Sequence, residues 1–158
     1  MDSKEKYFLH SSQLYVARNE SWIVTVLGSC VAVCLYDKQL RIGGMNHFML
    51  PLWNGQGLES PRYGNIAIPK LLELLKKNGS SPDHLVAKVF GGAKILGDEN
   101  SYFQVGEANV DFVFRSLNEL NIPVRASSTG GSKGRKIYFN SVTGEVFQKY
   151  VHPRPESV

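Results

Sequence analysis

Cys30 follows the turn-forming pair Gly28-Ser29 and heads the apolar run Val31-Ala32-Val33-Cys34-Leu35-Tyr36. A single central histidine, His47, stands in the next stretch, Gly43-Gly44-Met45-Asn46-His47-Phe48-Met49-Leu50-Pro51. An unperturbed thiol, with a pKa near ~8.5, is only slightly ionised at neutral pH, so it becomes a useful nucleophile when an imidazole holds or removes its proton. The other histidines are poorly placed for that task. His10 lies in the polar opening segment, His84 follows Pro82-Asp83, and His152 precedes Pro153.

For Cys30 and His47 to meet, the chain between them must fold back. Val31 to Tyr36 reads as a strand, Asp37-Lys38-Gln39 as a turn, and Leu40 to Met49 as the returning strand. That hairpin brings His47 to the head of the first strand, with an uncertainty of a residue or two because Gly43-Gly44 can hold a bulge. Thr25, on the preceding strand, can hydrogen-bond the imidazole and fix its tautomer. Gly28 and Ser29 allow a tight backbone whose N–H groups are candidate donors to a developing oxyanion, each typically worth about 3 kcal/mol.

Each of these residues also has an ordinary structural explanation. Cysteine is often a small core residue, a histidine on an apolar strand is often structural, and threonine is a common β-former. Cys34 lies well inside the strand and reads as core. A strand places Cys30 and Cys34 about 13 Å apart at ~3.3 Å per residue, too far for a disulfide. The same separation, and the lack of a fourth ligand, argue against a metal site built from Cys30, Cys34 and His47.

The length of 158 residues suits one domain with a sizeable core. Hydrophobic residues make up 42% and charged residues 20%, a globular balance that argues against disorder. No apolar run approaches the roughly 20 residues of a membrane span, and the opening residues form no signal core. Two unbridged thiols suit a reducing compartment, so a cytoplasmic location is expected. The net charge of +4 gathers late, in Lys133, Arg135, Lys136, Lys149 and Arg154. A solvated face explains it most simply, an acidic protein partner comes next, and no nucleic-acid motif accompanies it.

Residues 1–12 are polar and read as a flexible arm, with Tyr7, Phe8 and Leu9 able to tie part of it down, and residues 13–158 as the domain. Further strands are expected at Leu14–Ala17, Trp22–Val26, Leu85–Phe90, Ile122–Ser127, Arg135–Phe139 and Glu145–Tyr150, the last two joined by a turn over 140–144. Helices are expected at Asn65–Lys77, with Pro69 in or at the start of its first turn, and from about Glu107 to Leu120. Leu52 to Tyr63 is a polar loop placed to line a site. Strands and helices in this order give a single α+β domain.

Six segments in order resemble the CheD family of chemoreceptor glutamine deamidases. They are Thr25-Val26-Leu27-Gly28-Ser29-Cys30-Val31-Ala32-Val33, Gly44-Met45-Asn46-His47-Phe48-Met49-Leu50-Pro51, Arg62-Tyr63-Gly64, Ala87-Lys88-Val89-Phe90-Gly91-Gly92-Ala93, Gly106-Glu107-Ala108-Asn109 and Gly130-Gly131-Ser132-Lys133-Gly134-Arg135-Lys136-Ile137-Tyr138-Phe139. The resemblance implies an α/β sandwich with a mixed, largely antiparallel sheet and two main helices, similar to cytotoxic necrotizing factor toxins. It implies Cys30, His47 and Thr25 as the catalytic group, with no metal or other cofactor. The implied reaction converts glutamines on the cytoplasmic helices of methyl-accepting chemoreceptors to glutamate, in chemotaxis adaptation. A CheC-type phosphatase is an implied partner. Ser128-Thr129 and Lys94-Ile95 depart from the residues usual in the family, and bear on partner contacts rather than on the catalytic group. Two alternatives remain: a non-catalytic chemotaxis adaptor, and a cysteine hydrolase acting on receptor glutamyl methyl esters.

Overall fold

Val31, Val33 and Leu35 point to one side of β4 (Val31–Asp37) and Ala32 and Cys34 to the other, and both rows are buried. A strand apolar on both faces needs a cover on each, and that requirement organises the molecule. The computed structural model describes residues 5–94 and 103–151. Two sheets pack face to face, and two helices cover the far side of one of them.

The first sheet has the order β1-β3-β8-β9, formed by β1 (Glu5–Phe8), β3 (Ser21–Leu27), β8 (Gly134–Asn140) and β9 (Val146–Val151). The second has the order β2-β5-β4-β6-β7, with β2 (Leu14–Val16), β5 (Ile42–Asn46), β6 (Leu85–Gly91) and β7 (Val124–Thr129) around β4. The β1–β3 and β6–β7 pairs are parallel and the other pairs antiparallel. Ile23, Leu27, Ala32, Cys34, Met45, Ile137 and Phe139 fill the space between the sheets. Helices α1 (Gly64–Lys77) and α2 (Phe103–Glu119) close the other face of the second sheet over Val31, Val33, Leu35 and Phe48.

The turn after β4 sets the hairpin that matters most. Asp37 Oδ1 accepts the Gln39 and Leu40 amides, and Arg41 takes a left-handed φ of 57° before β5 begins. The register is then Asp37 with Ile42, Tyr36 with Gly43, Leu35 with Gly44 and Cys34 with Met45. Gly43 and Gly44 sit in this register without a bulge; they are needed for space. A Cβ on Gly43 would lie 2.7 Å from the Phe139 ring, and one on Gly44 2.6 Å from Val16.

The structure corrects several expectations in detail. The strands divide between two sheets instead of sharing one. Within the expected arm over 1–12, Glu5–Phe8 is a strand paired with β3 and Leu9 is fully buried, so this part belongs to the sandwich. Residues 1–4, Ile95, His152 and Arg154 lie outside the described residues. Pro69 falls in the second turn of α1, because that helix starts at Gly64. Its first amides are already satisfied by the Leu50 and Pro51 carbonyls. Burial of Ala67, Ile68, Leu71 and Leu75 offsets the bond that proline removes. Helix α2 begins at Phe103, a turn before the expected start, with Gly106 inside it.

Candidate active site

Thr25 belongs to the inward row of β3, between Ile23 and Leu27, and reaches from the first sheet toward the second. Its Oγ1 is 2.7 Å from His47 Nδ1 and 2.7 Å from the Leu9 carbonyl oxygen. Proton counting assigns the tautomer. The hydroxyl has one proton, and the Leu9 carbonyl can only accept it. The contact with His47 must therefore be an Nδ1–H donating to Oγ1, which leaves Nε2 unprotonated. His47 is held through its backbone as well: its amide donates to Gln13 O at 3.2 Å, and its carbonyl accepts the Ser12 amide at 2.7 Å. The segment between β1 and β2 thus wraps the imidazole.

The β4–β5 register carries past the end of β5. Val31 and Phe48 exchange both backbone bonds, at 3.1 and 3.0 Å. His47 then lies opposite Ala32, and Cys30 opposite Met49. Both side chains point into the space between the sheets, as cross-strand diagonal neighbours. Such neighbours are about 7–8 Å apart at the backbone and closer at their side chains. Among the described hydrogen bonds none joins the thiol to the imidazole.

The electrostatics match that geometry. Burial raises the half-buried Cys30 thiol above its ordinary pKa, and its own amide opposes the shift. Burial, reinforced by the charge of nearby His10, lowers His47 to about 4. The resting pair is therefore a thiol and a neutral imidazole with its free lone pair on Nε2. Cys34, two pleat repeats further along the strand, is 1% exposed and its thiol is pushed far up by burial.

The peptides around Cys30 are tied from behind. Gly28 O accepts the Ala93 amide at 2.9 Å, Ser29 O accepts Asn109 Nδ2 at 3.0 Å, and Cys30 O accepts the Gly92 amide at 2.9 Å. In a trans peptide the next N–H points opposite to the carbonyl, so the Ser29 and Cys30 amides face away from these anchors. Gly91 takes a φ of 110°, and a Cβ there would come within 2.2 Å of Cys30 O. Arg135, 3% exposed, holds this turn by donating to Gly91 O at 2.9 Å and Gly130 O at 2.6 Å. Among the described residues no three His, Cys, Asp or Glu side chains gather as a metal site.

Sequence reasoning passed over the Leu9 carbonyl and the Asn109 amide. A backbone acceptor has no signature in residue type. Asn109 lies far along the chain, and only its place in Gly106-Glu107-Ala108-Asn109 marked it.

A half-buried thiol at a strand head, facing a neutral imidazole whose tautomer a buried hydroxyl sets, is an arrangement suited to cysteine-centred acyl transfer. The chain matches the family described as CheD chemotactic sensory transduction over residues 49–150. It is 51% identical over 148 residues to a probable chemoreceptor glutamine deamidase CheD of Sulfurimonas denitrificans, covering 93% of this chain and 95% of that protein. It is also 51% identical over 141 residues to a protein of the same description from Trichlorobacter lovleyi, covering 89% and 88%. A probable chemoreceptor glutamine deamidase CheD 1 of Anaeromyxobacter dehalogenans is 45% identical over 137 residues, covering 87% and 80%. This chain belongs to the CheD family.

Proposed function

We propose that this protein is a chemoreceptor glutamine deamidase, hydrolysing glutamine side-chain amides on methyl-accepting chemoreceptors to glutamate. The observation that carries the reading is the buried Thr25–His47 bond, which frees Nε2 on the face that Cys30 shares. Family membership supplies the substrate class, since the relatives are described as chemoreceptor deamidases.

In this reading Nε2 of His47 takes the Cys30 proton as sulfur attacks the amide carbon. The resulting oxyanion is held by backbone N–H groups at Ser29 and Cys30, beside Gly28. His47 returns the proton to the nitrogen as the C–N bond breaks and ammonia departs, leaving a thioester. Water, deprotonated by His47, attacks the thioester, and the C–S bond breaks to give glutamate and the free thiol. Catalytic hydrogen bonds often tighten only when substrate binds, so the scheme needs no thiol–imidazole bond beforehand. No cofactor enters the scheme.

In this reading the substrate glutamines lie on receptor cytoplasmic domains, and the enzyme acts in the cytoplasm. No helix among the described residues is long and apolar enough to cross a membrane. A CheC-type phosphatase as a further partner rests on the family resemblance alone.

Ammonia release from a purified receptor cytoplasmic fragment tests the proposal. Wild-type protein is expected to release ammonia, and Cys30→Ala and His47→Gln to release none while still binding the fragment. Binding without release by wild type would favour an adaptor. Methanol release from a methylated fragment, without ammonia from an unmethylated one, would favour an esterase.

A further inference from the structure

Asn109 is fully buried on α2, and its side-chain Nδ2 donates to two carbonyls, Ser29 O at 3.0 Å and Met49 O at 2.9 Å. Those carbonyls belong to the two strand ends that carry Cys30 and His47. After the Val31–Phe48 rung the β4–β5 ladder would next join Ser29 to Leu50. It does not, because the Leu50 amide turns away to Arg62 O at 3.2 Å. The strands part at the point where the thiol and imidazole leave them, and one side-chain amide occupies the place of the missing rung.

The surroundings are shaped to bring that amide in. A Cβ on Gly106 would lie 2.6 Å from both the Gly92 and Ala93 carbonyls, so glycine lets α2 press against the end of β6 one turn before Asn109. Asn109 Oδ1 is buried and has no hydrogen-bond partner among the described residues. A buried amide that uses only its donor half bears an uncompensated acceptor, a cost that a leucine of similar size avoids. Packing alone does not call for asparagine here. Two donated bonds to the site backbone do.

We infer that Asn109 is a positioning residue, which holds the Cys30 and His47 strand ends at a fixed separation and aims the Cys30 backbone N–H at the reacting centre. The second effect follows from peptide geometry. Ser29 C=O and Cys30 N–H share one planar unit and point in opposite directions, so fixing the carbonyl fixes the amide. The inference rests on the reading of Cys30 as nucleophile and His47 as base, and adds to it the group that sets their spacing. A clamp of this kind acts on the chemical step and leaves substrate docking alone, because misplacing reacting groups by about 1 Å costs on the order of 100-fold in rate.

Asn109→Leu keeps the volume and removes the amide; Asn109→Asp keeps the shape and removes the donors. Ammonia release from a receptor fragment is expected to show kcat lowered about 10- to 100-fold in both, with KM within about twofold of wild type. Asn109→Leu folded and with wild-type kcat would overturn the inference, and so would a rise in KM alone. The wild-type protein tests the same contact without substitution. The Asn109 side-chain amide protons, followed by NMR, should exchange slowly with solvent, and rapid exchange would overturn the clamp. Cys30→Ala run in parallel separates the two claims. An active Cys30→Ala removes the nucleophile on which the inference rests, whereas an inactive Cys30→Ala beside a fully active Asn109→Leu removes only the clamp.

Discussion

Thr25→Val removes one oxygen from the buried centre of the site and keeps the side chain's shape. That oxygen accepts from His47 Nδ1 and donates to Leu9 O, each at 2.7 Å. The two lost bonds are worth about 1 kcal/mol each, and leaving the imidazole N–H and the carbonyl unpaired in the interior raises the total to about 2–4 kcal/mol. For a chain of this size the melting temperature should fall by roughly 5–15 °C. The kinetic effect has a different origin. Without its acceptor the Nδ1–H tautomer loses its preference, the Nε2–H form competes, and the ring is free to turn. Loss of the tautomer alone costs a factor of about two when the forms become equal, and misorientation multiplies it, for an expected kcat reduction of about 10- to 100-fold. Thr25→Ser retains the hydroxyl and should recover most of kcat while remaining less stable than wild type. Ammonia-release kinetics on the three proteins, with nitrogen NMR of the His47 ring, give both readouts. A valine variant with wild-type kcat, or a wild-type ring protonated on Nε2, would refute the proton count.

Three further outcomes follow from the same site. Burial holds the His47 imidazole down to about 4 in the folded protein, against its ordinary 6.5 when unfolded. Between those values the unfolded chain binds a proton that the native chain does not, so stability should fall as pH drops from 6.5 toward 4, by about 3 kcal/mol in all. Melting curves across that window should show a steeper pH dependence for wild type than for His47→Gln; equal slopes would contradict the burial argument. Neutral haloacetamides should alkylate Cys30 far faster than Cys34, and Cys30 alkylation should still be rising above pH 8.5, since burial raises its thiol. Peptide mapping checks both points, and preferential labelling of Cys34 would be the contrary result. Gly91→Ala forces a Cβ to within 2.2 Å of Cys30 O at a φ of 110°, so it should displace Cys30, the proposed nucleophile, and lower kcat at least 10-fold. Kinetics on a variant shown by circular dichroism to be folded tests this, and an unchanged kcat would mean the Gly91 turn does not hold Cys30 in place.

The β4–β5 hairpin was legible because its signals agree: an unbroken apolar run, an aspartate that can accept its own turn amides, and an apolar return. That agreement also placed Cys30 and His47 in one neighbourhood. What escaped is what tertiary packing decides. Glu5–Phe8 looks like a polar arm because it pairs at a sheet edge, where three of its four residues, all but Tyr7, are exposed. Helix α2 reads from about Glu107 because its apolar stripe is clear only from Val110 onward, whereas it begins at Phe103 and includes Gly106, whose close contact with Gly92 and Ala93 requires glycine. Pro69 was assigned to a first turn because proline belongs there by default, but backbone acceptors at Leu50 and Pro51 start the helix earlier. The division of strands into two sheets depends on which apolar faces meet, and single-strand patterns do not record that.

The central claim is that the Cys30 thiol, served by His47, removes ammonia from receptor glutamines. Intact-peptide mass spectrometry of a receptor cytoplasmic fragment, incubated with wild-type protein or with Cys30→Ala, tests it most directly. The account predicts a gain of about one mass unit at particular glutamines with wild type and none with the mutant, as acyl transfer through this thiol requires. The same gain with a folded Cys30→Ala protein, or no gain with wild type bound to the fragment, would contradict it.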